Sequence, residues 1–162
     1  MSIHFDGAGL QAEHIAAKQF NGTLTNVLDE QYADIDLYVR GKSVSVKDQL
    51  ESSAKYGSIQ IELSMTNTRN NDSRPGCFYN CNADYYFWRV SLNDNDYWCV
   101  IETSVMRDFV EQNKQTLRTW QTRHYTEQKN RNYGRTYDRA SGVNIPLQQL
   151  VKLGKCIAVK EV

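Results

Sequence analysis

Apolar residues recur at two different periods along this chain, and the switches between them mark out its elements. Residues 8–20, AGLQAEHIAAKQF, place Leu10, Ile15 and Phe20 near a three-to-four spacing with alanines between, which predicts an amphipathic helix. GTLTNVL (22–28) reads as a short strand. DIDLYV (34–39) then alternates acid with apolar, RGK supplies a glycine turn, and SVSVK (43–47) alternates strictly. That alternation puts Val44 and Val46 on one face of a hairpin and Ser43, Ser45 and Lys47 on the other. DQLESSAKYG predicts a short helix stopped by Gly57, and SIQIELSM (58–65) another strand.

Further on, TNTRNNDSRPG (66–76) is polar and ends in Pro-Gly, which predicts a loop. ADYYFWRVSL and YWCVIE flank NDND and read as an aromatic, half-buried hairpin. Thr103 or Ser104 is placed to cap a helix over roughly 104–119. Residues 120–142 are polar, basic and aromatic; NIPLQQLVKLG predicts a short helix after Pro146, and KCIAVKEV a last strand. No internal repeat is visible. The order of elements predicts a mixed α+β or α/β domain, a central sheet flanked by helices. A length of 162 residues suits a single domain over 1–162, with a core at about 8–102 and a basic, aromatic extension at about 103–162.

Composition narrows the class. Hydrophobic residues make up 40%, a globular value, and basic and acidic residues number 19 each. Net charge therefore favours no partner, and only its distribution is informative. No apolar run reaches the length of a membrane span, and MSIHFDGAGLQAEH lacks the basic start of a secretory signal. Cys99 and Cys156 lie in apolar runs and read as buried thiols, which together with the missing signal predicts a cytoplasmic protein. Cys77 and Cys81 form one C-x3-C with no second pair and no histidine at ligand spacing, a poor zinc signature. His4, His14 and His124 show no spacing that suggests a relay.

The hairpin carries the candidate chemistry. An acid opens its first run and Lys47 closes its second, so antiparallel pairing brings these ends together. Asp36 is the expected partner of Lys47, and Asp34, which precedes the strand, reads as a turn residue. A carboxylate and an ammonium become a phosphate-handling site when a second carboxylate and a divalent ion join them, because Mg²⁺ takes oxygen ligands and grips phosphate.

Helix with Glu13, strand, DIDLYV, turn, VSVKDQ, short helix, strand resembles the core of the PD-(D/E)XK nuclease superfamily over residues 8–65, and more loosely NADYYFWRV within 82–102. The resemblance implies a restriction-endonuclease-like α-β-β-β-α-β fold. It also implies a metal held by the acid at the start of the second strand and by the acid of a (D/E)-x-K on the third. Carried over by position, Asp36 is the hairpin acid, Glu13 the helix acid and Lys47 the lysine, with Gln49 the glutamine that often follows it. The chain departs from the pattern at Ser45, which stands where the motif has an acid and reads as a small outward residue beside the site. Glu62 or Glu51 is then expected to supply the missing carboxylate. Glu62 is preferred, because a carboxylate between Ile61 and Leu63 needs a reason. The implied metal ligands are thus Asp36, Glu62 and Glu13, and the implied ion Mg²⁺ or Mn²⁺.

Residues 114–139 set seven basic residues against Glu127 and Asp138, a net of +5, with aromatics interleaved. Guanidiniums that neutralise phosphates and rings that stack on bases predict a nucleic-acid surface. Its candidates are Arg118, Arg123, Lys129, Arg131, Arg135, Trp120 and Tyr133, with Arg69 and Arg74 of the 66–76 loop as a second wall. These features lead to an expected Mg²⁺-dependent DNA endonuclease or resolvase, with nucleic acid as partner, no membrane, and a homodimer compatible with cutting two strands. The alternative is a catalytically inactive nuclease-fold protein binding nucleic acid or protein as a phage or mobile-element accessory.

Overall fold

The computed structural model describes residues 7–122 and 138–160. Its first half follows the alternation closely. Helix α1 (Gly7–Gln19) leads into a two-residue strand β1 (Thr23–Leu24), a short helix α2 (Leu28–Tyr32), and the hairpin of β2 (Leu37–Val39) and β3 (Lys42–Asp48). The sequence did not announce α2: its leucine and tyrosine stay exposed, so it has no apolar stripe. Arg40 and Gly41 form the hairpin turn with φ of 50° and 78°, the doubly positive pair whose twist suits a two-residue loop. Helix α3 (Leu50–Tyr56) ends at Gly57 in the left-handed region, as its glycine predicts.

Beyond α3 the chain leaves this sheet. β4 (Ser58–Asn67) and β5 (Asp72–Pro75) form a second hairpin, so most of the expected 66–76 loop is strand. Helix α4 (Cys77–Asn80) then returns the chain to the first sheet, where β6 (Tyr85–Leu92) lies parallel to β3 and pairs with β7 (Asn95–Glu102) through a turn at Asn93–Asp94. Helix α5 (Thr103–Asn113) is followed by β8 (Thr119–Thr122), β9 (Arg139–Pro146), α6 (Leu147–Leu150) and β10 (Lys155–Ala158). The result is a mixed α+β protein. One six-stranded mixed sheet has the order β1-β2-β3-β6-β7-β10, with β3–β6 its parallel pair. One four-stranded antiparallel sheet has the order β5-β4-β9-β8. The part after 103 is therefore built into both sheets rather than added outside them.

Each face of the six-stranded sheet buries its own cluster. Ala12 and Ala16 of α1 cover Leu37, Val44, Val46, Phe87 and Trp98. On the other face Tyr86, Trp88, Val90 and Ile101 meet Ile59, Ile61, Val143 and Ile145 of the second sheet and Met106 and Val110 of α5. β6 is thus covered on both sides, which is why YYFWRV reads as a continuous apolar run. Cys99 is buried as expected, but Cys156 is exposed, on the edge strand β10.

Asp84 fastens the parallel pair at its start. Its carboxylate accepts from the Ser43 N–H at 3.0 Å and the Ser43 hydroxyl at 3.1 Å, while its own N–H donates to Ser43. These bonds hold the Asp84 carboxyl below the usual carboxylate range. Asp84→Ala leaves the buried Ser43 N–H unpaired and is expected to cost about 1–2 kcal/mol, read as a lower denaturant midpoint at unchanged slope. The sign on pH follows: this contribution is present above the ordinary aspartate pKa and is lost as pH falls through the lowered one.

Candidate active site

The end of the hairpin meets α1 through Asp36 and the second sheet through Lys47. Asp36 enters β2 with its N–H donating to Val44 O at 2.8 Å and its carboxylate accepting from Val46 N–H at 2.7 Å. A side chain thus stands where the ladder of main-chain bonds between β2 and β3 ends, which fixes the carboxyl against the strand. The carboxyl of Glu13, one residue after the buried Ala12 of α1, hydrogen-bonds that of Asp36. Burial pushes the Asp36 pKa up to about 8, and the charges of Asp34 and Glu13 add to the shift against the pull of Lys47. At neutral pH Asp36 is therefore held mainly in its protonated form, with the Glu13 carboxyl against it.

The direct partner of Lys47 is Asp34, not Asp36: the ammonium lies 2.7 Å from the Asp34 carboxylate. Asp34 is a turn residue as expected, with φ of 64°, and that left-handed conformation is part of how it reaches the end of β3. Burial alone would lower the Lys47 pKa, but the charge of Asp34, with Asp36 behind it, holds it above the ordinary lysine range. Lys47 is consequently a fixed cation, not a base. Ser45, expected outward, is fully buried, and its hydroxyl has no hydrogen-bond partner among the described residues.

Lys47, Gln49, Gln60, Glu62, Cys77, Trp88 and Trp120 border a cleft of about 210 Å³ between the two sheets. Gln49 clips its walls together: its amide donates to Gln60 O at 3.4 Å and accepts from Gln60 N–H at 3.3 Å, tying the end of β3 to β4. Glu62 lies beside a bulge at Leu63 in the β4–β9 pairing, and its carboxylate accepts from the Cys77 N–H at 3.2 Å, which gives this acid between apolar neighbours its reason. Among the described residues no group of three His, Cys, Asp or Glu side chains meets at one point. Asp36 and Glu13 come together, and Glu62 stands on the second sheet rather than with them. Glu51 is exposed on α3 and does not line the cleft.

Cys77 is open to solvent, yet the protein packed around its sulfur pushes the thiol pKa up to about 12, helped by Glu62 and Asp34 and opposed by Lys47. The free thiol is therefore un-ionised at neutral pH. Alkylation of Cys77 by iodoacetamide at pH 8, followed on its peptide by mass spectrometry, is expected to run at least tenfold slower than for an unstructured cysteine.

Trp120 is set by Gly142. The two are cross-strand partners, and a Cβ on Gly142 would lie 1.7 Å from Ile61 O and 3.0 Å from the Trp120 indole nitrogen. Only glycine lets β4, β9 and the indole approach this closely. The indole N–H donates to Val143 O at 3.2 Å, which fixes the half-buried ring at the cleft. Arg118 is exposed just before β8. Of the other basic and aromatic candidates, Arg123, Lys129, Arg131, Tyr133 and Arg135 lie outside the described residues, as does His124. Sequence reasoning missed Asp34 as the lysine's partner and Trp88 as a cleft residue; a left-handed aspartate before a strand gives no local signal, and Trp88 reads as core. No helix among the described residues is long and apolar enough to cross a membrane. Comparison with protein-family models, with curated proteins and with solved structures gave no match.

Proposed function

We propose that this protein hydrolyses phosphodiester bonds in DNA with the help of a divalent cation, Mg²⁺ or Mn²⁺, on a restriction-endonuclease-like fold. The observation that carries the reading is the pair of adjoining carboxyls, Asp36 and Glu13, beside the ion pair of Lys47 and Asp34. The path of the chain supports it in part: the expected strand 58–65 belongs to the second sheet, but after that detour through β4, β5 and α4 the chain adds β6 parallel to β3, so that α1, β1, β2, β3, α3 and β6 follow an α-β-β-β-α-β order.

The donors fit a small hard cation. Mg²⁺ commonly takes one or two carboxylates and fills its remaining positions with water and substrate phosphate. Asp36 and Glu13 supply two carboxyls, and the buried, unpartnered Ser45 hydroxyl is a further polar atom on β3. When bound, the cation would act as a Lewis acid toward the phosphate and lower the pKa of a coordinated water. Asp36, once ionised, and Glu13 would hold it. Lys47, kept charged by Asp34, would neutralise negative charge developing on the phosphate oxygens. Gln49 would keep the cleft walls at their spacing. Water adds across the P–O bond, giving a phosphate monoester and an alcohol.

A plasmid and oligonucleotide cleavage assay with Mg²⁺ and Mn²⁺, run with Asp36→Asn and Lys47→Met beside the parent, tests this. Cleavage that survives both substitutions defeats it. The second reading, a nucleic-acid-binding accessory without catalysis, is favoured by Ser45 in place of the motif acid and by the separation of Glu62 from the carboxyl pair. Calorimetry with Mn²⁺ separates the two: no metal heat alongside salt-sensitive DNA retention favours the accessory.

A further inference from the structure

The cleft beside Lys47 is bordered by four aromatic residues, more than phosphate chemistry needs. Phe78, Tyr86 and Trp88 form a stacked series along it: the Phe78 and Tyr86 rings lie 5.9 Å apart at 8°, and the Tyr86 and Trp88 rings 5.0 Å apart at 26°. Trp120 borders the same cleft, anchored to β9 by its own N–H. Trp88 is 3% exposed, and its indole N–H has no hydrogen-bond partner among the described residues. A buried donor without a partner is uncommon and calls for an explanation. Gln49 adds an amide at the rim, held to the Gln60 main chain by bonds of 3.3 and 3.4 Å at the long limit for such contacts, and Gln60 adds an exposed one.

We infer that this cleft takes a single unpaired nucleobase, so that the preferred substrate is single-stranded DNA or a nucleotide turned out of a duplex. Three observations carry this. The volume of about 210 Å³ is of the size of one planar heterocycle. Trp120 borders the cleft with a half-buried indole, and a base inside an intact duplex has no free face to stack on it. The rim glutamines offer donors and acceptors of the kind a base edge uses, and the Trp88 N–H behind them is a buried donor without a partner among the described residues. Lys47 lies on the same cleft, so a base seated there brings its own phosphate toward the Asp36–Glu13 pair. The inference rests on the phosphodiester-hydrolase reading for what happens next, but base capture itself needs no cation.

Fluorescence anisotropy in EDTA, with the full chain and labelled 12-mers, tests base capture apart from cleavage. The probes are single-stranded oligothymidine, its duplex with oligoadenine, and an abasic strand of the same length. The expected result is at least tenfold tighter binding of the single strand than of either other probe. Trp120→Ala is expected to weaken single-strand binding roughly tenfold and leave the duplex unchanged, and Trp120→Phe, which keeps a ring, to retain most of the affinity. Equal binding of the abasic and base-bearing strands, duplex binding as tight as single-strand binding, or an unchanged Trp120→Ala overturns the inference, as does the absence of binding to every probe. If base-dependent binding stands while no probe is cleaved in Mg²⁺ or Mn²⁺, the hydrolase reading alone fails. If cleavage stands while binding ignores the base, the pocket alone fails.

Discussion

Asp36→Asn is expected to abolish cleavage, by at least about 10³-fold, while making the metal-free protein more stable at alkaline pH. The two effects have one cause. Asp36 is desolvated and pressed against Glu13, so its pKa stands at about 8 instead of near 3.8. A folded-state pKa raised this way stabilises the folded form below the ordinary value, and that contribution is lost as pH rises through about 8. Asparagine keeps an oxygen for the Val46 N–H and carries no charge, so it escapes the penalty. At pH 9 in EDTA we expect the variant to melt roughly 3–8 °C above the parent, from about 1–3 kcal/mol of relieved repulsion and desolvation, and at pH 4 to melt with it. Adding Mn²⁺ should reverse the order by stabilising the parent alone, since a ligand of the folded state raises stability by mass action. Parent cleavage should climb between pH 6.5 and 9 as Asp36 ionises. Equal melting of the two proteins at pH 9 would contradict the buried-pair account.

Lys47→Met is expected to cost about 10²–10³ in cleavage and, unlike the asparagine change, to destabilise the fold. The Lys47 and Asp34 side chains are 24% and 20% exposed, so removing the cation strands a largely buried carboxylate, a loss of about 3 kcal/mol. Asp34→Asn with Lys47→Met should recover most of that stability and none of the activity. A double-mutant cycle in urea, read beside cleavage rates, separates the two roles. Recovery of cleavage in the double variant would show that Lys47 serves only to neutralise Asp34.

What the sequence made legible follows from which signals are local. Strict alternation in SVSVK, the Gly41 turn, the NDND turn and the Gly57 stop placed β2, β3, β6, β7 and the end of α3, because side-chain period and positive φ are set within a few residues. That same locality brought Asp36 and Lys47 to one neighbourhood. Ser45 was misread because alternation says which residues share a face, not what covers it; here a second sheet does. That sheet is assembled from β4 and β5 before residue 76 and from β8 and β9 after 118, and no local pattern announces such a pairing. Lys47 finds Asp34 because a left-handed turn carries that acid to the strand end, a tertiary fact that overrides the simple cross-strand rule.

The route of the backbone also constrains how this protein is made. Ile59 and Ile61 reach the ribosome's exit early, but the strand that shields them, β9, is completed only at Pro146. Until then a long, apolar strand edge waits without its neighbour. Sequence-distant pairing of this kind slows folding and leaves a nascent chain open to sticking. A premature stop anywhere before 146 should therefore yield aggregated material, not a smaller working protein.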